Sequence, residues 1–297
     1  MALDRLEIEY QLVGWSEIDK NAIIGHNAVY PQYADRNYGD IAKIVWDEVP
    51  DFDLFTYSFP CQDIAKDGYR KGFEEGSGTR SSLIWQCKKA ILKKRPRVLI
   101  MENVKAIAQK KNLQILEQWK MLLSNLGYSN FAMIMDSKDY GIPQHRERYI
   151  MVSILDCKTP FKFPDPIPLT TTVYDFLENA EGTFFMKKAN NSVYEGVNLR
   201  VINTDTDGCC RTIKAQYCFN GIANLLSDGS YSATGVVEKG RLRKLTTREC
   251  FRLMGVSNED TEKLMSTGLS KTWLYKMAGN SIVVDVLVHV FKKIYGV

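Results

Sequence analysis

A thiol, a carboxylate and two guanidinium groups stand in this chain where strands are expected to end. Cys61 follows Pro60 directly, just beyond the apolar and aromatic run Asp53–Tyr57. Proline fixes its own φ and gives a sheet no donor, so the chain must leave the sheet there. That puts Cys61 in a loop at the carboxyl end of a strand, where open α/β sheets hold their ligands. A thiol at such a mouth is a candidate nucleophile. The plainer reading is a small buried hydrophobe, and this segment alone favours neither. Glu102 and Asn103 end a second apolar run, Arg97–Met101, on the same edge of the sheet. Arg146 and Arg148 alternate within Gln144-His145-Arg146-Glu147-Arg148, which aims both at one face of a strand. Read plainly, Glu102 is a helix N-cap and the arginines are exposed strand charges.

Glu17 closes a strand-like run, Gln11–Trp15. A carboxylate at a strand's carboxyl end suits a ribose diol, since it accepts both hydroxyl hydrogens. Ser16 or Asp19 serves as N-cap of a helix expected over Lys20–Val29, a role compatible with the first. Tyr38-Gly39-Asp40-Ile41 supplies another acid-and-aliphatic corner.

The elements that must position these groups alternate strand and helix. After a glycine-punctuated loop (Gly68, Gly72, Gly76, Gly78), free enough to act as a lid, a helix is expected over Ser81–Lys94. Leu83, Ile84, Cys87 and Ile91 form its apolar face. Leu113, Leu116, Leu123 and Leu126 mark the next helix, closed by Gly127. Tyr128–Met135 and Arg148–Leu155 read as an antiparallel pair. Prolines 160, 164, 166 and 168 then mark a boundary, and short glycine-broken segments run to about Gly240. Helical periodicity returns at Thr246–Met254, Asn258–Met265 and Ser281–Lys292.

Composition narrows the classes. The chain has 297 residues, 45% of them hydrophobic, enough for a sizeable core. Its seven cysteines form no CxxC pair and its three histidines lie far apart, which argues against zinc or a disulfide framework. No run is expected to span a membrane, and Met1–Tyr10 lacks the apolar core of a signal peptide. The net charge of +4 permits a polyanion partner. The basic groups Lys88-Lys89, Lys93-Lys94-Arg95 and Lys110-Lys111 read as solvated helix faces.

Together these pieces resemble the DNA cytosine methyltransferases that act at carbon 5. Phe59-Pro60-Cys61-Gln62 resembles the nucleophile motif of that family, Glu102-Asn103-Val104 the acid motif, and Gln144–Arg148 the Gln-x-Arg-x-Arg motif. Arg243–Gly255 is similar to the motif that braces the recognition domain, and Gly279-Asn280-Ser281-Ile282-Val283 to the last motif. Five motifs in the family's order are far more specific than any one of them.

The resemblance implies a Rossmann-like α/β methyltransferase fold, dependent on S-adenosyl-L-methionine, with a small, irregular, β-rich target-recognition domain. It implies a catalytic and cofactor domain over 1–158, a recognition domain over 159–269 and a returning segment over 270–297. Cys61 is then the nucleophile that adds to carbon 6 of a flipped cytosine. Glu102 faces N3 and the amine, while Arg148, supported by Arg146, holds the O2 side. Glu17 and Ile18 take the ribose side of the cofactor, Asp40 and Ile41 the adenine edge. Pro60, Ser82, Leu83, Asn280 and Ser281 complete the cofactor contacts. Double-stranded DNA is the implied substrate, with no metal, and a cognate restriction endonuclease is a possible partner. A cytoplasmic protein of bacterial or phage origin is expected. Alternatives are a catalytically silent DNA-binding remnant, half of a split enzyme, and, fitting less well, a tRNA cytosine methyltransferase.

One departure stands out. The family begins with a strand ending in Phe-x-Gly-x-Gly; no such run occurs here, and Met1–Leu6 resembles the helix that follows it. The expectation is a complementing N-terminal segment or chain, with weak cofactor binding in its absence.

Overall fold

The computed structural model describes residues 1–59, 83–110, 112–178, 208–213 and 245–297 in full, and the backbone alone at 197–202, 224–225, 231–238 and 241–244. The central sheet is built from β1 (Leu54–Ser58), β2 (Val98–Val104), β3 (Tyr128–Asp136) and β5 (Glu147–Leu155), in the order β1-β2-β5-β3. The first pair is parallel and the other two are antiparallel. A two-residue strand, β4 (Gln144–His145), precedes β5.

Alternation in β2 and β5 sets two cores, one on each face. Val98, Ile100, Ile150 and Val152 bury on one side, and Leu99, Met101, Tyr149 and Met151 on the other. Both strands therefore read as continuous apolar runs covered on both faces.

Eight helices occur among the described residues: α1 (Ala2–Arg5), α2 (Lys20–Val29), α3 (Ile84–Lys94), α4 (Leu113–Asn125), α5 (Thr247–Arg252), α6 (Asn258–Met265), α7 (Lys271–Asn280) and α8 (Val284–Tyr295). α3 and α4 cover the second core with Ile84, Cys87, Ile91, Leu116, Trp119 and Leu123. Burial there pushes the Cys87 thiol up to about 12. α5 to α8 cover the first core. β1 is pinned by aromatic packing: the Phe55 and Tyr57 rings lie 5.3 Å apart, and the Trp119 ring meets Tyr57 edge-on at 6.1 Å. Trp119 Nε1 also donates to the buried Tyr57 hydroxyl at 3.0 Å. Such pairs add roughly 0.5–1.5 kcal/mol each beyond burial, which holds the strand leading to Pro60.

A second, smaller sheet has β9 (Tyr231–Glu238) at its centre. β6 (Val197–Ile202) runs parallel to it, while β8 (Asn224–Leu225) and β10 (Arg241–Lys244) run antiparallel. β7 (Cys210–Arg211) pairs instead with β4, Gln144 opposite Cys210 and His145 opposite Arg211. The expected β-rich insert is present. Much of 159–269 nevertheless packs with the sheet: Phe161, Phe163, Val173, Phe176, Leu245 and Phe251 share the core of Ile150 and Val152.

Three sequence expectations need correction. Gln11–Trp15 is not a strand; only Trp15 pairs, in a single parallel bridge to Asn37. A strand needs a laddered neighbour, and none lies beside this segment among the described residues. β2 runs on through Glu102-Asn103-Val104, because β5 continues the ladder to the Val104–Arg148 pair. The helix expected from Ser281 begins at Val284, and α7 precedes it. Ser281 instead caps α7 in an extended conformation. No correction attaches to Lys271–Tyr295, a stretch apolar enough by composition alone to cross a membrane. It is two helices divided at Ser281, with Leu274, Tyr275, Val286, Val290 and Phe291 in the first core.

Candidate active site

Register brings the acid and the nucleophile loop together. In the parallel β1–β2 pair, Ser58 lies opposite Glu102, and the Ser58 hydroxyl donates to the Glu102 carboxylate at 3.1 Å. Asn103, 2% exposed, donates through Nδ2 to the Phe59 carbonyl at 3.0 Å and accepts the Val104 N–H at 2.9 Å. Asn103 thus fixes where the chain departs towards Pro60. Pro60, Cys61, the loop 63–78 and Ser82 lie outside the described residues. Across the β2–β5 ladder, Arg148 Nε reaches Glu102 Oε1 at 3.0 Å, with the two side chains 16% and 12% exposed. A charge-assisted pair with so little solvent is held firmly and still opens at the sheet's edge. Arg148 also donates to the Glu147 carbonyl at 2.8 Å.

Arg146 has a different setting. It lies in the break between β4 and β5 and is buried. Its Nη1 donates to the Ile213 carbonyl at 2.7 Å, and Nη2 to the carbonyls of Gly279 and Ser281 at 2.8 and 2.7 Å. Burial first, then the charge of Arg148, push its pKa down to about 9 against the opposing pull of Glu102. It remains a cation at neutral pH. Gln144, equally buried, accepts the Ile213 N–H at 3.0 Å and donates to the Leu253 carbonyl at 2.8 Å.

The two acidic corners form one substructure. Asn37 accepts the backbone N–H groups of Glu17 and Gly39 at 3.1 and 3.0 Å and donates to the Glu17 carbonyl at 3.1 Å. Ser16 adds a bond to the Gly39 carbonyl at 2.6 Å. Glu17 Oε1 accepts the Ile18 and Asp19 N–H groups at 2.7 and 2.8 Å, while Ile18 is 71% exposed. Asp40 caps the short turn Ile41–Lys43 through the Ala42 N–H at 2.9 Å. Ile41 and Leu83 both pack on the core that holds Phe59 and Tyr57. Asp19 caps α2, as one sequence reading had it, and pairs with Lys276 of α7 at 3.0 Å. Asn280, exposed, ends α7 close to the bonds of Arg146; the Ser281 hydroxyl turns back to the Met277 carbonyl at 2.7 Å.

The two ends of the insert are stapled together. The Glu178 N–H and the Thr246 N–H share the buried Glu249 carboxylate at 3.0 and 2.8 Å. The Thr246 hydroxyl donates to Glu178 at 2.6 Å, and Arg248 bridges Glu178 and Glu262 at 2.9 and 2.8 Å. Asn37 and Glu178 had no signal as positioning groups in sequence, and the motifs that contain Asn103 and Glu249 did not show which distant groups they hold: Asn37, Asn103 and Glu249 take backbone groups, and Glu178 takes side chains, 20 to 71 residues away.

Comparison with known proteins shows the family. The family model for C-5 cytosine-specific DNA methylase matches residues 2–296. The type II methyltransferase M2.ScrFI of Lactococcus lactis subsp. cremoris is 40% identical over 268 residues, covering 88% of this chain and 71% of its own. The type II methyltransferase M.HhaI of Haemophilus parahaemolyticus is 33% identical over 271 residues, covering 87% and 80%. Among solved structures, the S. pombe Dnmt2 methyltransferase superposes with a TM-score of 0.75 at 19% identity, over 98% of this chain and 92% of its own, which speaks to the fold alone. An ordered motif set, an α/β methyltransferase fold and a match along nearly the whole length lead to one assignment: the chain belongs to the C-5 cytosine-specific DNA methylases and is a DNA (cytosine-5)-methyltransferase.

Proposed function

We propose that the protein methylates carbon 5 of a cytosine flipped out of double-stranded DNA, through a transient covalent bond to Cys61. The observation that carries this reading is the Glu102–Arg148 pair at 3.0 Å, beside Ser58 and three residues from Cys61 in sequence. Carbon 5 of cytosine is too weak a nucleophile to take a methyl group unaided. The Cys61 thiolate adds to carbon 6, breaking the ring's conjugation and making carbon 5 an enamine carbon. Glu102 holds N3 and the exocyclic amine, and Arg148 the O2 side, so that charge leaving the ring is met by fixed groups. After methylation, carbon 5 loses its proton and Cys61 is expelled. A base in a duplex cannot reach such a site without leaving the stack, at a cost of a few kcal/mol.

S-adenosyl-L-methionine supplies the methyl group when bound. The residues present fit it: exposed Ile18 beside the Glu17 carboxylate offers an apolar surface and a diol acceptor together. Glu17 Oε2 has no hydrogen bond among the described residues, which leaves it available to a ribose. By the resemblance, Asp40 and Ile41 border the adenine edge, Asn280 and Ser281 lie towards the methionine end, and Pro60, Ser82 and Leu83 are further cofactor contacts. The protein acts in the cytoplasm, where bacterial or phage DNA is reached. The two relatives above are named as type II enzymes, which supports a cognate restriction endonuclease as partner.

The outer edge of β1 is unpaired among the described residues. An open parallel edge is a ready template for another strand. A complementing segment or chain adds that strand and ladders Gln11–Trp15 as well. Calorimetry tests it: a peptide of strand-plus-Phe-x-Gly-x-Gly form should tighten S-adenosyl-L-methionine binding. Equally tight binding without the peptide overturns the complementing strand.

Recognition of the DNA site resides in 179–244, bracketed by the staple of Glu178 with Thr246 and Arg248. Base-edge contacts choose sequence, whereas phosphate contacts only position. Exchanging the stretch between Glu178 and Thr246 for a relative's should move the methylated site without moving the chemistry. Bisulfite sequencing of treated plasmid reads it; an unchanged target would place specificity elsewhere, and no methylated cytosine from the parent protein would remove the reading itself.

A further inference from the structure

Arg146 is a charged side chain only 2% exposed. Its guanidinium holds carbonyls from two segments far apart in sequence: Ile213, in the described part of the insert, and Gly279 with Ser281, at the turn between α7 and α8. The carbonyls at the end of α7 are ones that a helix leaves without an intrahelical partner. Ile213 is further gripped through its N–H by Gln144, and Thr212 donates to the His145 carbonyl at 2.6 Å, so this piece of the insert moves only with the strand beside it. Arg148 and Glu102 lie near enough that their charges act on Arg146. One planar fork therefore joins the insert to the α7–α8 turn.

We infer that Arg146 is a coupling residue: when the insert engages DNA, Arg146 carries the resulting restraint from Ile213 to the turn at Gly279–Ser281. The inference rests on the reading that 179–244 faces DNA and that Asn280 and Ser281 face the methyl donor. Its physical basis is that a buried cation cannot release an acceptor cheaply. A shift of the Ile213 carbonyl must be followed by the guanidinium, whose rigid geometry then moves or fixes the other two carbonyls. Arg146 acts here by positioning and touches no reacting atom.

Hydrogen–deuterium exchange of the full chain, with and without linear plasmid duplex, tests this. DNA is expected to slow exchange several-fold in peptides covering 208–213 and also in those covering 279–284. In Arg146→Lys, which keeps the charge but loses the fork, DNA protection at 208–213 should persist and that at 279–284 should vanish. Arg146→Gln gives the same comparison where the lysine variant does not fold. A purely structural role would raise exchange at 279–284 equally with and without DNA and leave the DNA effect intact, which overturns the inference. Wild-type protection that stops at 208–213 overturns it without any variant. Absence of protection everywhere removes the DNA-facing reading, and this inference with it.

Discussion

Glu102→Gln is expected to lower the rate of methyl transfer on the order of 10²–10⁴-fold, the range for a lost acid–base group, with DNA affinity essentially unchanged. The substitution keeps the volume of the side chain and one oxygen, which can still accept from Arg148, now at 3.0 Å, while the amide nitrogen takes the place of the oxygen that accepts from Ser58 and can donate to that hydroxyl instead. It removes the proton that a carboxyl can exchange with N3 and the negative charge facing Arg148. Loss of one partner in a buried pair costs up to about 3–5 kcal/mol; this pair keeps some solvent and Gln still accepts, so the fold should survive. Single-turnover transfer to plasmid DNA, on protein shown to be folded by its melting transition, measures the effect. A variant with near wild-type rate would remove Glu102 from the chemistry and leave it a strut between β1 and β5.

The middle of the central sheet was legible because β2 and β5 are buried on both faces. Val-Leu-Ile-Met in β2 and Tyr149–Val152 in β5 are continuous apolar runs, and the antiparallel partner of β5 carries the matching pattern in β3. α2 occupies Lys20–Val29 as its cap residue and spacing indicated. Gln11–Trp15 misled because β-propensity describes a half-buried surface rather than a strand; without a ladder beyond Trp15, these residues stay irregular. α7 was missed although Ser270 precedes it and Trp273, Leu274, Met277 and Ala278 follow helical spacing. Its end is set by Arg146, which takes two carbonyls that a longer helix would keep, and a bond spanning 133 residues leaves no local trace. For the site, residue types were readable and their supports were not. Glu102 and Arg148 could be named from motif and alternation, but Asn103 on the Phe59 carbonyl and Asn37 between the acidic corners are visible only in three dimensions.

Cys61→Ala should abolish turnover altogether, since without a thiolate nothing activates carbon 5. DNA binding should persist, because phosphate and base contacts do not involve the thiol. The most direct measurement uses duplex DNA bearing 5-fluorocytosine throughout, incubated with the protein and S-adenosyl-L-methionine, both with and without a peptide of strand-plus-Phe-x-Gly-x-Gly form. Once carbon 5 is methylated, fluorine cannot depart as a proton does, so elimination of the enzyme stalls and the bond from sulfur to carbon 6 persists. The expected result is a denaturation-resistant protein–DNA adduct, mapped by mass spectrometry to Cys61 and absent from Cys61→Ala. An adduct on another cysteine, or methylated product from the alanine variant, would contradict the account.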